Sequence, residues 1–239
     1  MSGIDLSWLI ARPIAHRGYH DGNLVRYENS LPAFEAAVER GYAIECDVQP
    51  TADGDVVVFH DGTLDRLTSE TGDVRTRTAE QLTQIELGDT EARIPTLSQM
   101  LRHVDSRVPV VIEMKGPALD GFVANVAKII SSYQGKIALM SFDHSLVRDA
   151  LDRGLPAGLT AEGTDLDELD THMAIADEVA FLSYAVNDLP NPFVERIHAS
   201  GRPVITWTVR TPAQRATTKR YADQMTFEGF DPNGDHPRR

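Results

Sequence analysis

Acids stand in this sequence where an apolar strand has no ordinary use for them. Ala43-Ile44-Glu45-Cys46-Asp47-Val48 reads as a buried strand. Side chains alternate across a strand, so Glu45 and Asp47 share one face while Ile44, Cys46 and Val48 occupy the other. Residues 108–115, VPVVIEMK, repeat the design with Glu113 and Lys115 two apart. Carboxylates are rarely buried unless paired or bound to metal. Acids at a solvated strand rim, paired with Arg and Lys, would explain one such stretch; a second of the same design favours a shared task. A hard divalent cation, Mg²⁺ or Ca²⁺, held by the oxygens of Glu45, Asp47 and Glu113 relieves the burial and leaves positions open for substrate oxygen and water.

The other chemistry-bearing residues also follow short apolar runs: His16-Arg17-Gly18 after Pro13-Ile14-Ala15, and His60-Asp61 after Val56-Val57-Val58-Phe59. Arg17 and Lys115 supply donors for an anionic group, and phosphate suits both. His16 and His60 can divide general-acid and general-base work near neutral pH. A cation, two positive side chains and an acid–base pair together describe hydrolysis of a phosphate ester. A metal-dependent sugar isomerase would share the carboxylates but has less need for Arg17 and Lys115 beside them.

Strand and helix signals alternate along the chain, and this rhythm must bring those residues together. Asn29-Ser30-Leu31-Pro32 opens a helix with Leu31, Phe34, Ala37 and Val38 at helical spacing, closed at Gly41. The carboxylate strand runs to Pro50, and Asp53-Gly54 turns the chain into residues 56–59. Residues 61–95 are polar, with one short helical piece near 78–87; they read as a cap-like insertion too small to bury a core alone. Helices are then expected at 97–104, 119–133, 145–153, 166–176, 193–199 and 212–222. Strands alternate with them at 108–115, 136–142, 157–161, 179–185 and 203–209, and residues 223–229 read as a closing turn. Counting 56–59 as the third strand gives eight strand–helix units. This predicts an α/β fold, a (β/α)8 TIM barrel forming one domain over residues 1–239, with the insertion after the third strand. No Gly-rich phosphate fingerprint follows the first strand, which argues against a dinucleotide-binding sheet. On the barrel, His16, Glu45, Asp47, His60, Glu113 and Lys115 all fall at C-terminal strand ends, the face where barrel enzymes keep their active sites.

Composition excludes other classes. Apolar residues make up 41% and charged residues 25%, with a net charge of −13 and no Lys/Arg cluster, so nucleic acid and anionic membranes are disfavoured as partners. The single cysteine, Cys46, rules out a disulfide framework and faces away from the acids, as a packed core thiol rather than a nucleophile. No apolar run is long enough for a signal peptide or stable membrane insertion, and a cytoplasmic location is expected. Nothing in the sequence specifies an oligomeric state.

Taken in order, His16-Arg17-Gly18, Glu28-Asn29-Ser30, Glu45-Cys46-Asp47, His60-Asp61 and Glu113-Met114-Lys115 closely resemble the motifs of the glycerophosphodiester phosphodiesterase family. The stretch Thr63-Leu64-Asp65-Arg66-Leu67-Thr68, with Thr71-Gly72, resembles the segment that opens the family's small insertion. Trp207 is similar to its tryptophan in the last strand. The resemblance implies a capped barrel, a divalent metal, and hydrolysis of small glycerophosphodiesters to glycerol 3-phosphate and an alcohol. It implies His16 and His60 as the acid–base pair and Glu45, Asp47 and Glu113 as metal ligands. Arg17, Lys115, Asn29 and Trp207 would meet phosphate or substrate, with Glu28 in support. The sequence departs from the family pattern at Ser30, where Thr is usual, in a longer loop at 19–27, and in Met225-Thr226-Phe227-Glu228, where Ile-Thr-Asp is common. Two further readings accompany this one. One is lysophospholipase D-type activity on lysophospholipids, which an exposed apolar cap or rim would favour and the polar insertion disfavours. The other is a non-catalytic phosphate-ligand-binding barrel, which a missing histidine or acid would favour; none is missing.

Overall fold

A computed structural model describes residues 5–234. Its strands are β1 (Ile14–Ala15), β2 (Ala43–Pro50), β3 (Val56–Val58), β4 (Val110–Met114), β5 (Ile137–Ser141), β6 (Ala157–Ala161), β7 (Leu182–Ala185), β8 (Val204–Val209) and β9 (Gln224–Phe227). All except β3 pair in parallel in the order β1-β2-β4-β5-β6-β7-β8-β9, and β9 returns to β1 through Ile14 opposite Thr226, closing an eight-stranded barrel. The helices are α1 (Leu31–Glu39), α2 (Ala79–Leu82), α3 (Leu97–Val104), α4 (Phe122–Ile130), α5 (His144–Asp152), α6 (Leu166–Met173), α7 (Pro192–Ala199) and α8 (Pro212–Tyr221).

The barrel expected from the sequence is present, but two of its strands were assigned wrongly and the errors cancelled in the count. Residues 56–59 are not its third strand: β3 lies antiparallel on the upper half of β2, Val48 opposite Val58 and Pro50 opposite Val56. The physical reason is the connection. Parallel neighbours need a crossover of a dozen or more residues, whereas β2 and β3 are joined by a tight turn in which Gly54 takes φ of 80°. The missing eighth strand is β9, read from the sequence as a turn because it is short and begins with a polar Gln. Trp207 therefore lies on the seventh barrel strand, and the last one ends beside Glu228.

Alternation along the strands sorts the core. Outward Ile44, Cys46, Val48, Ile112 and Leu139 pack under the helices, with the Cys46 thiol buried among them. Inward Ile14, Ala43, Val111, Ala138, Met140, Phe181 and Ile205 fill the lower barrel, plugged from below by Leu6 and by Leu9 of the helical turn Ser7–Ile10. With the lower barrel filled by hydrocarbon, the inward residues of the next layers up are the polar ones. The insertion has its own small core, with Leu64, Leu67, Val74, Leu82 and Ile85 packed on Val57 and Phe59 of the β3 segment. It is thus seated on the hairpin rather than folded apart from it.

Candidate active site

The register between β2 and β4 sets the acids side by side. Asp47 pairs with Glu113 and Glu45 with Val111, so three inward carboxylates collect above the apolar plug, with ligand oxygens all within 4.8 Å of one another. All three residues are buried. Burial, and then the charge of Asp47, push the Glu45 carboxyl well above its ordinary range, and the same two causes push Glu113 up to about 7. Two cationic side chains face three acids here. Lys115 Nζ lies 2.9 Å from Glu113 Oε1, and Arg17 Nε lies 3.2 Å from Asp47 Oδ2. The donor set is all oxygen, crowded and negatively charged. It fits a hard divalent cation, whose charge would remove the mutual repulsion.

The β1–α1 connection is folded onto this cluster. Arg17 adopts φ of 53°, a conformation uncommon outside glycine, and its backbone N–H thereby donates to Glu45 Oε2 at 2.8 Å. Gly18 follows with φ of 79°, and a Cβ there would come within 3.0 Å of Ala33 at the start of α1. Asn29, also left-handed, donates from Nδ2 to Asp47 Oδ2 at 2.8 Å and accepts the Asp47 N–H on its Oδ1. Ser30 caps α1 by accepting from Ala33 N, so the hydroxyl kept at this position does the same job as the usual Thr. Glu28 is buried and accepts from Arg17 Nη1 at 2.7 Å, from Asn23 and from Arg66. Burial alone would raise its carboxyl; these hydrogen bonds and the two guanidinium charges hold it far below the usual range.

Each histidine has a carboxylate at Nδ1. His16 Nδ1 and Glu228 Oε2 are 2.8 Å apart, and Glu228 is also held by Arg210 Nη2 at 2.8 Å. His60 Nδ1 and Asp61 Oδ1 are 2.7 Å apart. A carboxylate at Nδ1 holds the proton on that nitrogen and leaves Nε2 to exchange protons elsewhere. Burial pushes the His16 imidazole below its ordinary value despite the Glu228 bond. Burial also pushes Glu228 up, but the His16 hydrogen bond and charge, followed by Arg210, hold it down at about 2. The His60 segment rises beside the acids because Phe59 N donates to the Asp47 carbonyl at 3.0 Å.

On the far side of Lys115, Phe142 and Trp207 meet edge-on with centroids 5.5 Å apart, and Lys115 Nζ sits 5.6 Å from the Phe142 ring centre. The Trp207 indole N–H is buried with no hydrogen-bond partner among the described residues.

The structure thus brings Arg17, Glu28, Asn29, Glu45, Asp47, Glu113 and Lys115 into one contact network, which His60 joins through Asp61 and Arg66 and Trp207 through Phe142; His16, next to Arg17 in the chain, is held separately by Glu228. Sequence reasoning missed Glu228, Arg210, Arg66 and Phe142 and gave Asp61 no role. In the sequence Glu228 shows only as a departure from a family ending, because the strand it follows, β9, is short and begins with a polar Gln.

Residues 16–230 match the model of the glycerophosphoryl diester phosphodiesterase family. The chain belongs to that family. It is 33% identical over 211 residues to the glycerophosphodiester phosphodiesterase of Caldanaerobacter subterraneus subsp. tengcongensis, covering 82% of this chain and 84% of that one. A phosphodiesterase of Oleispira antarctica, solved in complex with the product sn-glycerol-3-phosphate, shares the fold with a TM-score of 0.79 at 20% identity, over 92% of this chain and 93% of that one. The Thermotoga maritima glycerophosphodiester phosphodiesterase gives a TM-score of 0.74 at 25% identity, over 90% of this chain and 92% of that one. Family membership makes this protein a phosphoric diester hydrolase acting on glycerophosphodiesters.

Proposed function

We propose that the protein hydrolyses small, water-soluble glycerophosphodiesters to glycerol 3-phosphate and an alcohol. His16 and His60 divide the proton transfers, and Glu45, Asp47 and Glu113 hold a divalent cation, Mg²⁺ or Ca²⁺. The observation that carries this reading is three crowded acids edged by Arg17 and Lys115, with two histidines at the ends of neighbouring segments, each backed by a carboxylate at Nδ1. When bound there, the cation supplies Lewis-acid stabilisation of phosphoryl negative charge. Arg17 and Lys115 hold the phosphoryl oxygens by charge-assisted hydrogen bonds. His16, buried and with its basicity lowered, stands neutral near pH 7 and takes the proton of the attacking hydroxyl at Nε2. His60 gives a proton to the departing alkoxide. Trp207 and Phe142 form an apolar wall for the carbon atoms of the substrate. The product-bound Oleispira relative, sharing this fold, supports glycerol 3-phosphate as the common product.

One observation favours a second substrate class. Leu24 and Val25, at the tip of the β1–α1 connection on the mouth face, are 78% and 72% exposed, an apolar rim of the kind a lysophospholipid chain would use. A single panel decides between them: glycerol 3-phosphate release from glycerophosphocholine, glycerophosphoethanolamine, glycerophosphoglycerol and glycerophosphoinositol, beside cleavage of lysophosphatidylcholine, each with Mg²⁺, Ca²⁺ or chelator. Turnover of a water-soluble diester is the expected result. Turnover confined to the lysolipid would move the assignment to the second class, and ligand binding without any turnover would leave a phosphate-binding barrel.

Lys115 gives a second test. Its ammonium sits between Glu113 and the Phe142 ring, so either an ion-pair role or a phosphate contact accounts for its position. If it meets phosphate charge that grows in the transition state, Lys115→Met assayed with saturating cation loses about a hundredfold in kcat, the usual scale for one such donor, with little change in melting temperature. Wild-type kinetics with a lowered melting temperature would assign Lys115 to the ion pair alone.

A further inference from the structure

One guanidinium from the insertion spans the two halves of the site. Arg66 donates from Nε to Asp61 Oδ2 at 2.6 Å and from Nη2 to Asp61 Oδ1 at 2.9 Å. The same Arg66 donates to Glu28, from Nη1 to Oε2 at 3.0 Å and from Nη2 to Oε1 at 2.7 Å. On one side Asp61 holds His60 Nδ1 at 2.7 Å. On the other, Glu28 holds Arg17 Nη1 at 2.7 Å, and Arg17 reaches Asp47 Oδ2 at 3.2 Å. An unbroken line of charge-assisted contacts therefore runs His60–Asp61–Arg66–Glu28–Arg17–Asp47. We propose that Arg66 is a positioning residue: by gripping Asp61 and Glu28 at once, it sets the orientation of the His60 imidazole relative to Arg17 and the acid cluster. This rests on the reading of His60 and Arg17 given above and extends it to a side chain of the insertion.

The alternative is that Arg66 merely staples the insertion to the barrel. The insertion is already fastened by other means. Leu64, Leu67 and Val74 pack on Val57 and Phe59 of the hairpin segment. Tyr27 of the β1–α1 connection also seats so closely on Gly88 that a Cβ there would lie 1.9 Å from its hydroxyl. What those contacts leave loose is rotation of the short Asp61 carboxylate about its own side-chain bonds, whereas Glu28 is also held by Arg17 and Asn23 and can serve as the anchor. A planar fork that uses four hydrogen bonds on two acceptors removes that freedom, and a lysine ammonium, a point charge without the fork, cannot reproduce it. Misplacement of a catalytic group by about 1 Å is enough to cost on the order of a hundredfold in rate.

The test compares Arg66→Met and Arg66→Lys with a control inside the same insertion, Arg77→Met, which breaks the contact of Arg77 with Glu70 and touches nothing in the line. Arg66→Met is expected to lose about tenfold to a hundredfold in kcat, KM changing far less, with Arg66→Lys recovering little. Millimolar guanidinium ion should restore part of the loss in an Arg66→Ala protein, and ethylammonium should not. Arg77→Met should lower the melting temperature while keeping kcat. A readout free of turnover accompanies these: the His60 Nδ1–H signal in the imidazole ¹⁵N–¹H spectrum should shift or vanish in folded Arg66→Met. Wild-type kcat, or an unchanged His60 signal, in folded Arg66→Met overturns the proposal. Should the wild-type protein turn over none of the diesters, the functional reading fails on its own, and the His60 spectrum still decides the role of Arg66.

Discussion

Exhaustive chelation is expected to abolish turnover, and Glu45→Gln to reduce it by at least about a hundredfold, because several kcal/mol of phosphoryl charge stabilisation depend on the cation. The stability effects should have opposite signs with and without metal. Without it, Glu45 is a buried acid whose carboxyl is already pushed up by burial and by Asp47 and Glu113. Removing its charge relieves repulsion, while the Gln oxygen can still accept the Arg17 N–H. The cation-free Glu45→Gln protein should therefore melt no lower than cation-free wild type. With cation, wild type should gain about 2.7 kcal/mol at a hundredfold excess over Kd, and the mutant far less.

The pH dependence of that gain follows from Glu113. Its carboxyl is raised in the folded protein from 4.5 to about 7. In the cation-free protein its contribution to stability is therefore fully present below 4.5 and lost as pH rises through about 7. A cation must displace that proton, and any held by Glu45, so the melting-temperature rise it produces should grow as pH rises across this window. Calorimetric melting with and without Mg²⁺ or Ca²⁺ over this range measures it, and full activity after chelation would sink the metal assignment.

His16→Ala and His60→Ala are each expected to cost roughly a hundredfold or more in kcat/KM, the usual scale of acid–base assistance. The double mutant should fall well short of the product of the two losses, because paired catalytic groups act as a unit. A phosphodiester needs a hydroxyl deprotonated and an alkoxide protonated, and two imidazoles in opposite protonation states serve both. The wild-type profile of kcat/KM against pH should be a bell. As the base, His16 loses activity when pH falls through its pKa, which burial places below the ordinary histidine value. The acid limb should thus disappear in His16→Ala and the alkaline limb in His60→Ala. Near-normal turnover in either mutant removes that histidine from the mechanism, and a mutant retaining both limbs reduces it to a ligand- or loop-orienting role.

What could be read without the structure was whatever short-range periodicity controls. The two-residue alternation placed Glu45, Asp47 and Glu113 on one face and Cys46 on the other, and the inward acids and the outward buried thiol are as that alternation requires. The polar pair Asn29-Ser30 ahead of Leu31 announced α1 for the same local reason. The same periodicity cannot tell a barrel strand from a hairpin strand, since Val56–Val58 is buried and β-branched in either case; the brevity of the turn at Gly54 decided it. Nor could it find β9, whose identity depends on pairing with β1 from the opposite end of the chain. The same limit applies to the groups that orient the histidines. His16 and Glu228 are 212 residues apart, and Arg66 reaches Glu28 across 38. The residue types and the chemistry they suit were determined by the sequence itself, because alternation and motif order are local. That Glu228 stands behind His16, and that Arg66 ties Asp61 to Glu28, was decided only by barrel closure and by the seating of the insertion, because those contacts join segments whose spacing along the chain carries no period.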